Sequence, residues 1–449
     1  MKRIITYGTF DLFHEGHLNL LKRAKDLGDY LLVGVTSESY DNSRGKLNVQ
    51  DNLMKRIDNV LATGLVDEVI IEEYEGQKIN DILKYNINIF AIGSDWFGKF
   101  DYLKEYCEVV YLERTKGVSS TYLREKNNGI LKLGVVGYGR IANRFIPEAK
   151  FVSGVNVEGV FGPNKESLIN FYENHQLMFW TLDYEEFLNR VDAVYIASPH
   201  QTHYEYIKHA IQRKKHVLCE KPMVLFEEQA RELYELAQKN NCVLIEAIKT
   251  GYSPGFNRLI STAKSGLIGK IKSVDATFTK LVSGQLRELN KESAGGSVNE
   301  LASYPLLAII KLLGEKIESV NYYTHYDQQK EVDLFTQINI KYKNAIATAK
   351  VGLGVKSEGD LVISGTKGYI YVPAPWWKTE YFEIRYEKSS ENKKIYYKFD
   401  GEGLRYELSE FVKLINSNHK ETYKLLSSES ISIIRIIEQF SLGKNVQRI

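Results

Sequence analysis

The stretch Thr6-Tyr-Gly-Thr-Phe-Asp-Leu-Phe-His-Glu-Gly-His17 limits what this chain can fold into more than any other. The apolar pair Ile4-Ile5 precedes it. An amphipathic run follows, with Leu18, Leu20, Leu21, Ala24 and Leu27 on one helical face. The pattern predicts a strand, a tight turn and a helix, with His14 and His17 at the turn. Gly8 and Gly16 let backbone approach a ligand closely. Helix-start amides and two imidazoles together make a corner suited to phosphate.

Strand-like runs recur at residues 4–6, 30–36, 68–71, 89–92 and 109–112, with helical patterns between them. That alternation predicts a parallel sheet covered on both faces, with ligands at the carboxyl ends of its strands. Two more clusters fall at strand ends. Gly93-Ser-Asp-Trp-Phe-Gly-Lys-Phe100 follows the fourth run. Arg114-Thr-Lys-Gly-Val-Ser-Ser-Thr121 follows the fifth, and its cation, glycine and hydroxyls suit a second phosphate cradle.

With these three motifs, the first 125 or so residues resemble the glycerol-3-phosphate cytidylyltransferase family of HxGH nucleotidylyltransferases. The resemblance implies that His14 and His17 contact a triphosphate and stabilise charge at its α-phosphate. It implies that Thr9, Phe10 and Gly16 line the nucleotide pocket, and that Asp95 and Trp96 hold the cytidine. Arg114, Ser120 and Thr121 take the places that bind triphosphate, and Lys46 and Arg56 the basic pair flanking the phosphates. CTP, with Mg²⁺ accompanying it, is the implied nucleotide. One position departs: Gly64 stands where the family often has an arginine, which points to a polyol phosphate other than glycerol phosphate. The chemistry agrees, because such a transfer needs positioning and charge stabilisation more than covalent catalysis.

After the polar break Lys126-Asn-Asn-Gly129, a new strand at 130–136 leads into Gly137-Tyr-Gly139-Arg-Ile-Ala142 and a helix. This is G-x-G-x-x-A in strand–turn–helix context, a dinucleotide cradle. The next strand, 155–161, ends without an acid. Arg140 and Lys165 stand nearby, favouring NADPH over NADH. A strand at 191–197 ends in Ser198-Pro199, followed by His200 and His203. Another, 216–219, runs into Glu220-Lys221-Pro222. From here to about residue 445 the chain resembles the Gfo/Idh/MocA oxidoreductases. The resemblance implies that Gly137, Gly139, Arg140, Ile141, Ala142, Lys165, Ser198, Pro199, His203, Glu220 and Lys221 face the cofactor. It places Lys221 and Tyr304 at the reacting carbonyl, with Glu300 where an aspartate is usual. An ammonium there polarises a carbonyl and supplies a proton as hydride arrives. Cys219, beside the motif, reads as a buried strand residue. From about 251 the strands follow one another with short turns, predicting an open antiparallel sheet with helices on one face. In the family that half often pairs subunits, which implies a homo-oligomer. The runs Tyr322-Tyr323 and Tyr396-Tyr397 read as sheet packing, and Trp376-Trp377 as a loop without assigned function.

The expected architecture is therefore α/β. It comprises a Rossmann-like nucleotidylyltransferase domain at 1–127, an NAD(P)-binding Rossmann domain at 130–250 and an α+β domain at 251–449. Formal net charge of +2 argues against general nucleic-acid or membrane-surface binding. Three cysteines without metal-ligand spacing indicate thiols in a reducing, cytoplasmic setting. No apolar run reaches the length of a membrane span. Joined, the two halves suggest a two-step enzyme. A ketose phosphate, fructose 6-phosphate first and ribulose 5-phosphate second, is reduced to an alditol phosphate. CTP then converts that product to a CDP-alditol for a capsule or teichoic-acid-like polymer. The alternatives are CDP-ribitol or CDP-glycerol synthesis, or a cytidylyltransferase carrying a non-catalytic regulatory module.

Overall fold

The computed structural model describes residues 1–43, 49–74, 76–113, 129–284 and 286–449. Lys46, Arg114, Ser120 and Thr121 lie outside them. Chain contacts divide the protein into two units, Met1–Ile130 and Leu131–Ile449.

In the first unit, β1 (Arg3–Gly8), β2 (Tyr30–Thr36), β3 (Glu68–Glu72), β4 (Ile89–Gly93) and β5 (Glu108–Leu112) form one parallel sheet. Their order is β3-β2-β1-β4-β5. Alternate residues of each strand feed opposite layers. Ile4, Leu31, Val33 and Ala91 pack with Leu21 and Ala24, whereas Ile5, Leu32, Phe90 and Ile92 pack with Ile82. Burying each such aliphatic side chain contributes about 1.5–3 kcal/mol, so a strand apolar on both sides is driven to the middle of a layered fold. The chain leaves β1 toward β2 on one side and returns to β4 on the other. The crevice opened by that reversal lies at the carboxyl ends of β1 and β4.

The second unit begins with the same logic. Strands β6 (Leu131–Val136), β7 (Val155–Phe161), β8 (Phe179–Thr181), β9 (Ala193–Ile196), β10 (His216–Glu220) and β11 (Leu244–Ala247) form a parallel sheet ordered β11-β10-β9-β6-β7-β8. Its reversal lies between β6 and β9. The helix Leu404–Ser417 packs on β10, β11 and the helix Arg140–Ala149, so chain from the far end closes over this sheet.

The last sheet has nine strands: β12 (Ile271–Thr279), β13 (Ser319–Asp327), β14 (Val332–Lys341), β15 (Ile346–Gly352), β16 (Leu361–Gly365), β17 (Tyr369–Val372), β18 (Tyr381–Arg385), β19 (Lys393–Tyr396) and β20 (Val446–Arg448). Their order is β19-β18-β17-β16-β12-β15-β14-β13-β20. The expectation of a purely antiparallel sheet is corrected: β12 with β15 and β13 with β20 are parallel. After β12 the chain makes the helices Ser297–Leu301 and Ser303–Leu313 before re-entering the sheet. Such a crossover lets β15 lie parallel to β12, which a tight turn cannot do. Among the tyrosines, Tyr322 is fully buried and donates to the Ile436 carbonyl at 2.7 Å, whereas Tyr396 on the edge strand is exposed. Cys219 is buried in β10, as expected.

Candidate active sites

In the first unit, the helix Glu15–Lys25 starts at His14, whose extended backbone makes it the N-cap. His14 Nδ1 accepts from the Gly16 amide at 3.0 Å, and His17 Nδ1 accepts from the His14 amide at 3.4 Å. Each neutral ring therefore carries its proton on Nε2. The Gly16 amide is engaged inside the corner, so the imidazoles carry its donor face. The two rings stack at 3.8 Å with 19° between planes. Burial lowers the pKa of His14.

The turn that aims these rings is strained. Phe10 and Leu12 have φ of +54° and +46°, a conformation that costs about 1–3 kcal/mol and collects at working sites. Phe10 is 1% exposed and meets His17 edge-on at 5.3 Å. A Cβ at Gly8 would stand 2.9 Å from its ring. Its buried ring thus buttresses His17.

Arg56, expected beside the phosphates, keeps one nitrogen, Nη2, without a hydrogen bond among the described residues. It is fully buried. Nε donates to the Asp51 carbonyl at 3.0 Å, and Nη1 to the carbonyls of Thr9 and Thr36 at 2.8 and 2.9 Å and to Asp41 Oδ2 at 3.2 Å. Thr9 and Thr36 hydroxyls donate to the same carboxylate at 2.9 and 2.6 Å. Arg56 pins the ends of β1 and β2 together, because a buried guanidinium needs acceptors and these strand-end carbonyls need donors. Asp95 and Trp96 form a turn directly after β4, next to β1, where the crevice opens. The Trp96 ring lies 5.8 Å from Phe100. Gly64 has φ of +66° after the helix Leu53–Leu61, a left-handed turn that favours glycine over arginine.

Sequence reading passed over Lys78. It is 6% exposed, paired with Glu72, and lies 4.5 Å over the Tyr7 ring. Tyr7 donates to Asp81 at 2.8 Å. The signal was available: the helix Gln77–Lys84 buries Gln77, Lys78 and Asp81 beside Ile82, a polar face where an ordinary packing helix is apolar.

In the second unit, Gly137 has φ of +96°, and a Cβ there would stand 2.9 Å from the Ala197 carbonyl oxygen. A Cβ at Gly139 would meet nothing within 4 Å, and no side chain caps the helix that starts after it. Ala142 is fully buried against the sheet, with Ile141 beside it at the first turn. An open glycine edge and an uncapped helix start fit the pyrophosphate of a dinucleotide. Arg140 pairs with Glu288 at 2.5 Å, whereas Lys165 lies 6.0 Å over the Trp180 ring. The two cations expected at the adenosine end thus have different neighbours. Ser198 and Pro199 form the loop after β9. His203 is corrected from the expected cofactor contact: it is fully buried, with its ring nitrogens 2.9 Å from the Ser198 carbonyl and 3.1 Å from that of Pro222. It ties two loops together, and burial holds its pKa down at about 4.

Lys221 follows β10 at a cis bond to Pro222. Its Nζ donates to the Glu300 carbonyl at 2.8 Å and lies 5.8 Å over the Tyr304 ring. Burial, and then the Glu220 charge, push the Tyr304 phenol well above its ordinary pKa, so it is a neutral O–H donor. Glu220 is buried, accepts from Tyr195 at 2.7 Å, and has its own pKa raised by burial. Around Glu300 the polar groups are incompletely matched. Arg287 Nη2 stands 2.9 Å from Glu300 Oε1 and His200 Nδ1 3.9 Å from it, yet Glu300 Oε1, His200 Nδ1 and Arg287 Nη1 make no hydrogen bond among the described residues. Buried polar atoms left this way suit a polar ligand. The tryptophan pair, read as a functionless loop, is part of this wall. Trp376 donates to the Thr277 carbonyl at 2.8 Å, and Trp377 stacks at 3.7 Å on Phe278, which meets Tyr304 at 5.0 Å.

Comparisons with known proteins follow the same division. Residues 5–126 match the cytidylyltransferase-like family model. Residues 131–248 match an oxidoreductase family with an NAD-binding Rossmann fold, and 256–371 the GFO/IDH/MocA C-terminal domain. A glycerol-3-phosphate cytidylyltransferase of Bacillus spizizenii is 52% identical over 126 residues, covering 28% of this chain and 96% of the relative. An NADP(+) scyllo-inositol 2-dehydrogenase of Bacillus subtilis is 26% identical over 321 residues, covering 69% of this chain and 96% of the relative. Among solved structures, a 3-ketoreductase from Actinomadura kijaniata with NADP and TDP-benzene shares the fold. Its TM-score is 0.65 at 20% identity, over 71% of this chain and 98% of that one.

Proposed function

From a chain that belongs to the glycerol-3-phosphate cytidylyltransferase family in its first unit and to the GFO/IDH/MocA oxidoreductases in its second, we propose a two-step route to a CDP-alditol. In the second unit a ketose phosphate is reduced. Hydride from NADPH adds to the carbonyl carbon, and a proton goes to the carbonyl oxygen, giving an alditol phosphate and NADP⁺. In the first unit a phosphate oxygen of that product attacks the α-phosphorus of CTP, and pyrophosphate leaves. Fructose 6-phosphate is the favoured ketose. The NADP-named relative supports NADPH. Gly137, Gly139 and the helix start would hold the dinucleotide, which supplies the hydride. We place the reaction in the cytoplasm and the chain in a homo-oligomer.

The observation that carries this reading is the meeting of Lys221 and Tyr304 at the end of β10. A non-catalytic module has no need to bring an amine and a neutral phenol together beside a dinucleotide cradle. There Lys221 orients and polarises the carbonyl oxygen, and Tyr304 donates the proton. In the first unit, the Nε2 protons of His14 and His17 meet charge on the triphosphate as the α-phosphorus is attacked. The test is a panel of ketose phosphates followed by NADPH absorbance without CTP, and of alditol phosphates followed by pyrophosphate release with CTP. Consumption of NADPH by fructose 6-phosphate, and pyrophosphate from the matching hexitol phosphate, is the expected result. If no ketose phosphate is reduced, the coupled route is wrong.

A further inference from the structure

Three cations from three separate elements meet one carboxylate oxygen in the second unit. Glu402 Oε2 stands 3.8 Å from Arg144 Nη1, 3.8 Å from Lys249 Nζ and 3.5 Å from Lys378 Nζ. Arg144 lies on the helix that starts at the glycine cradle. Lys249 opens the short helix after β11, and Lys378 ends the turn that carries Trp377. The Lys249 side chain is 12% exposed, and its Nζ also donates to the Glu402 carbonyl at 2.7 Å.

One carboxylate offsets one of these three charges, and the neighbouring acids offset little of the rest. Glu148 is committed to Arg405 by bonds of 2.9 and 2.7 Å, and Asp400 pairs with Lys398 at 3.2 Å. Glu220 and Glu407 both face Lys249. Burial raises the pKa of Glu407 and of Glu220, and it lowers that of Lys249. Three cations about one paired carboxylate leave a positive surplus, which suits the negative charge of a phosphate monoester. The cluster also borders the reduction site: Glu402 and Glu220 both act electrostatically on Tyr304, and Lys378 is one residue from the stacked Trp377.

We infer that Arg144, Lys249 and Lys378 bind the phosphate of a phosphorylated ketose, with Glu402 as the internal anion that the phosphate replaces. This rests on the reading of the second unit as a ketose-phosphate reductase. Charge-assisted bonds from three directions fix a phosphate, and its sugar carbonyl is then delivered toward Lys221. The Glu402 side chain is 40% exposed, so it can turn toward solvent while its backbone stays in place.

The full-length enzyme tests this with two readouts. In NADPH-oxidation assays with fructose 6-phosphate or ribulose 5-phosphate, Lys378→Met and Arg144→Met each raise the KM for the phosphorylated ketose about tenfold or more, with the KM for NADPH unchanged. Glu402→Gln lowers the ketose phosphate KM. In thermal melts, inorganic phosphate raises the Tm of the wild type by more than that of the double variant. A parallel rise in the NADPH KM assigns the cluster to the cofactor and overturns the inference. So does a phosphate-dependent Tm rise that is undiminished in the double variant, or a ketose phosphate KM that stays at the wild-type value. If the wild type reduces no phosphorylated ketose, the proposed reaction fails, and the phosphate melts still decide for or against the anion site.

Discussion

Single side chains separate the two chemistries. Lys221→Ala is expected to abolish NADPH consumption and leave CTP-dependent pyrophosphate release intact, because Lys221 touches only second-unit groups, Glu300 and Tyr304. His17→Ala is expected to do the reverse. Loss of both activities in either variant argues against two independent sites. Tyr304→Phe removes a proton donor without removing its ring. Its expected cost is a fall in kcat for reduction of about 10²- to 10⁴-fold, with little change in NADPH binding measured by fluorescence titration. Gly137→Ala forces a Cβ to 2.9 Å from the Ala197 carbonyl at a left-handed φ. Reduction is expected to fail there through lost cofactor affinity while cytidylylation persists. At this scale the sequence announced the residues proposed to act directly: His14, His17, Lys221 and Tyr304 lie in short motifs whose spacing reflects local backbone. It did not announce their supports. The Lys221 contact to the Glu300 carbonyl and the Phe278–Trp377 stack join residues far apart in the chain, which no local pattern encodes. Arg56 shows the same limit, since its bonds to the Thr9 and Thr36 carbonyls join residues far apart in the chain.

Elements explain which folds the chain can reach, and one of them carries an acid sensitivity. The parallel sheets were legible because most strands are apolar on both sides and most are followed by a helix. The nine-stranded sheet was legible only as strands. Its parallel pairs depend on where the chain re-enters after the helices 297–313, and β20 is three residues long, too short to leave a pattern. Between β10 and β11, His216 Nδ1 accepts from the Val243 amide at 2.9 Å, which requires the neutral ring. Burial, then the Lys420 charge, lower its pKa to about 4 from an ordinary 6.5. Between those values the unfolded chain binds the proton and the folded one does not, so stability is present above pH 6.5 and is lost as pH falls toward 4. The full effect is about 3 kcal/mol, reduced by whatever water reaches the ring. Melts of the whole protein from pH 7 to pH 4 are expected to show the second unit losing Tm over this window. His216→Gln keeps an acceptor for Val243 but titrates nowhere in this range, so its Tm should fall less steeply. An identical slope in the variant assigns the acid loss to other groups, with buried His203 the first to examine.

At the scale of the molecule, each unit has its own sheet and its own reversal crevice, and each crevice has its own strained or glycine-dependent turn. On the proposed route the link between them is chemical: the alditol phosphate released by one is the nucleophile used by the other. That makes stoichiometry the decisive measurement. With fructose 6-phosphate, NADPH and CTP in one vessel, NADP⁺ and pyrophosphate are expected to form at equal rates once the intermediate reaches steady state. In His17→Ala, NADPH oxidation continues and alditol phosphate accumulates without pyrophosphate. In Lys221→Ala, neither product forms from fructose 6-phosphate, but adding the matching hexitol phosphate restores pyrophosphate release. Mixing these two variants re-creates the full sequence through free solution. If the mixture matches the wild type at equal site concentration, the intermediate diffuses between sites. A mixture that lags at low enzyme but catches up at high enzyme instead marks transfer favoured within one chain, through the effective concentration of a tethered partner.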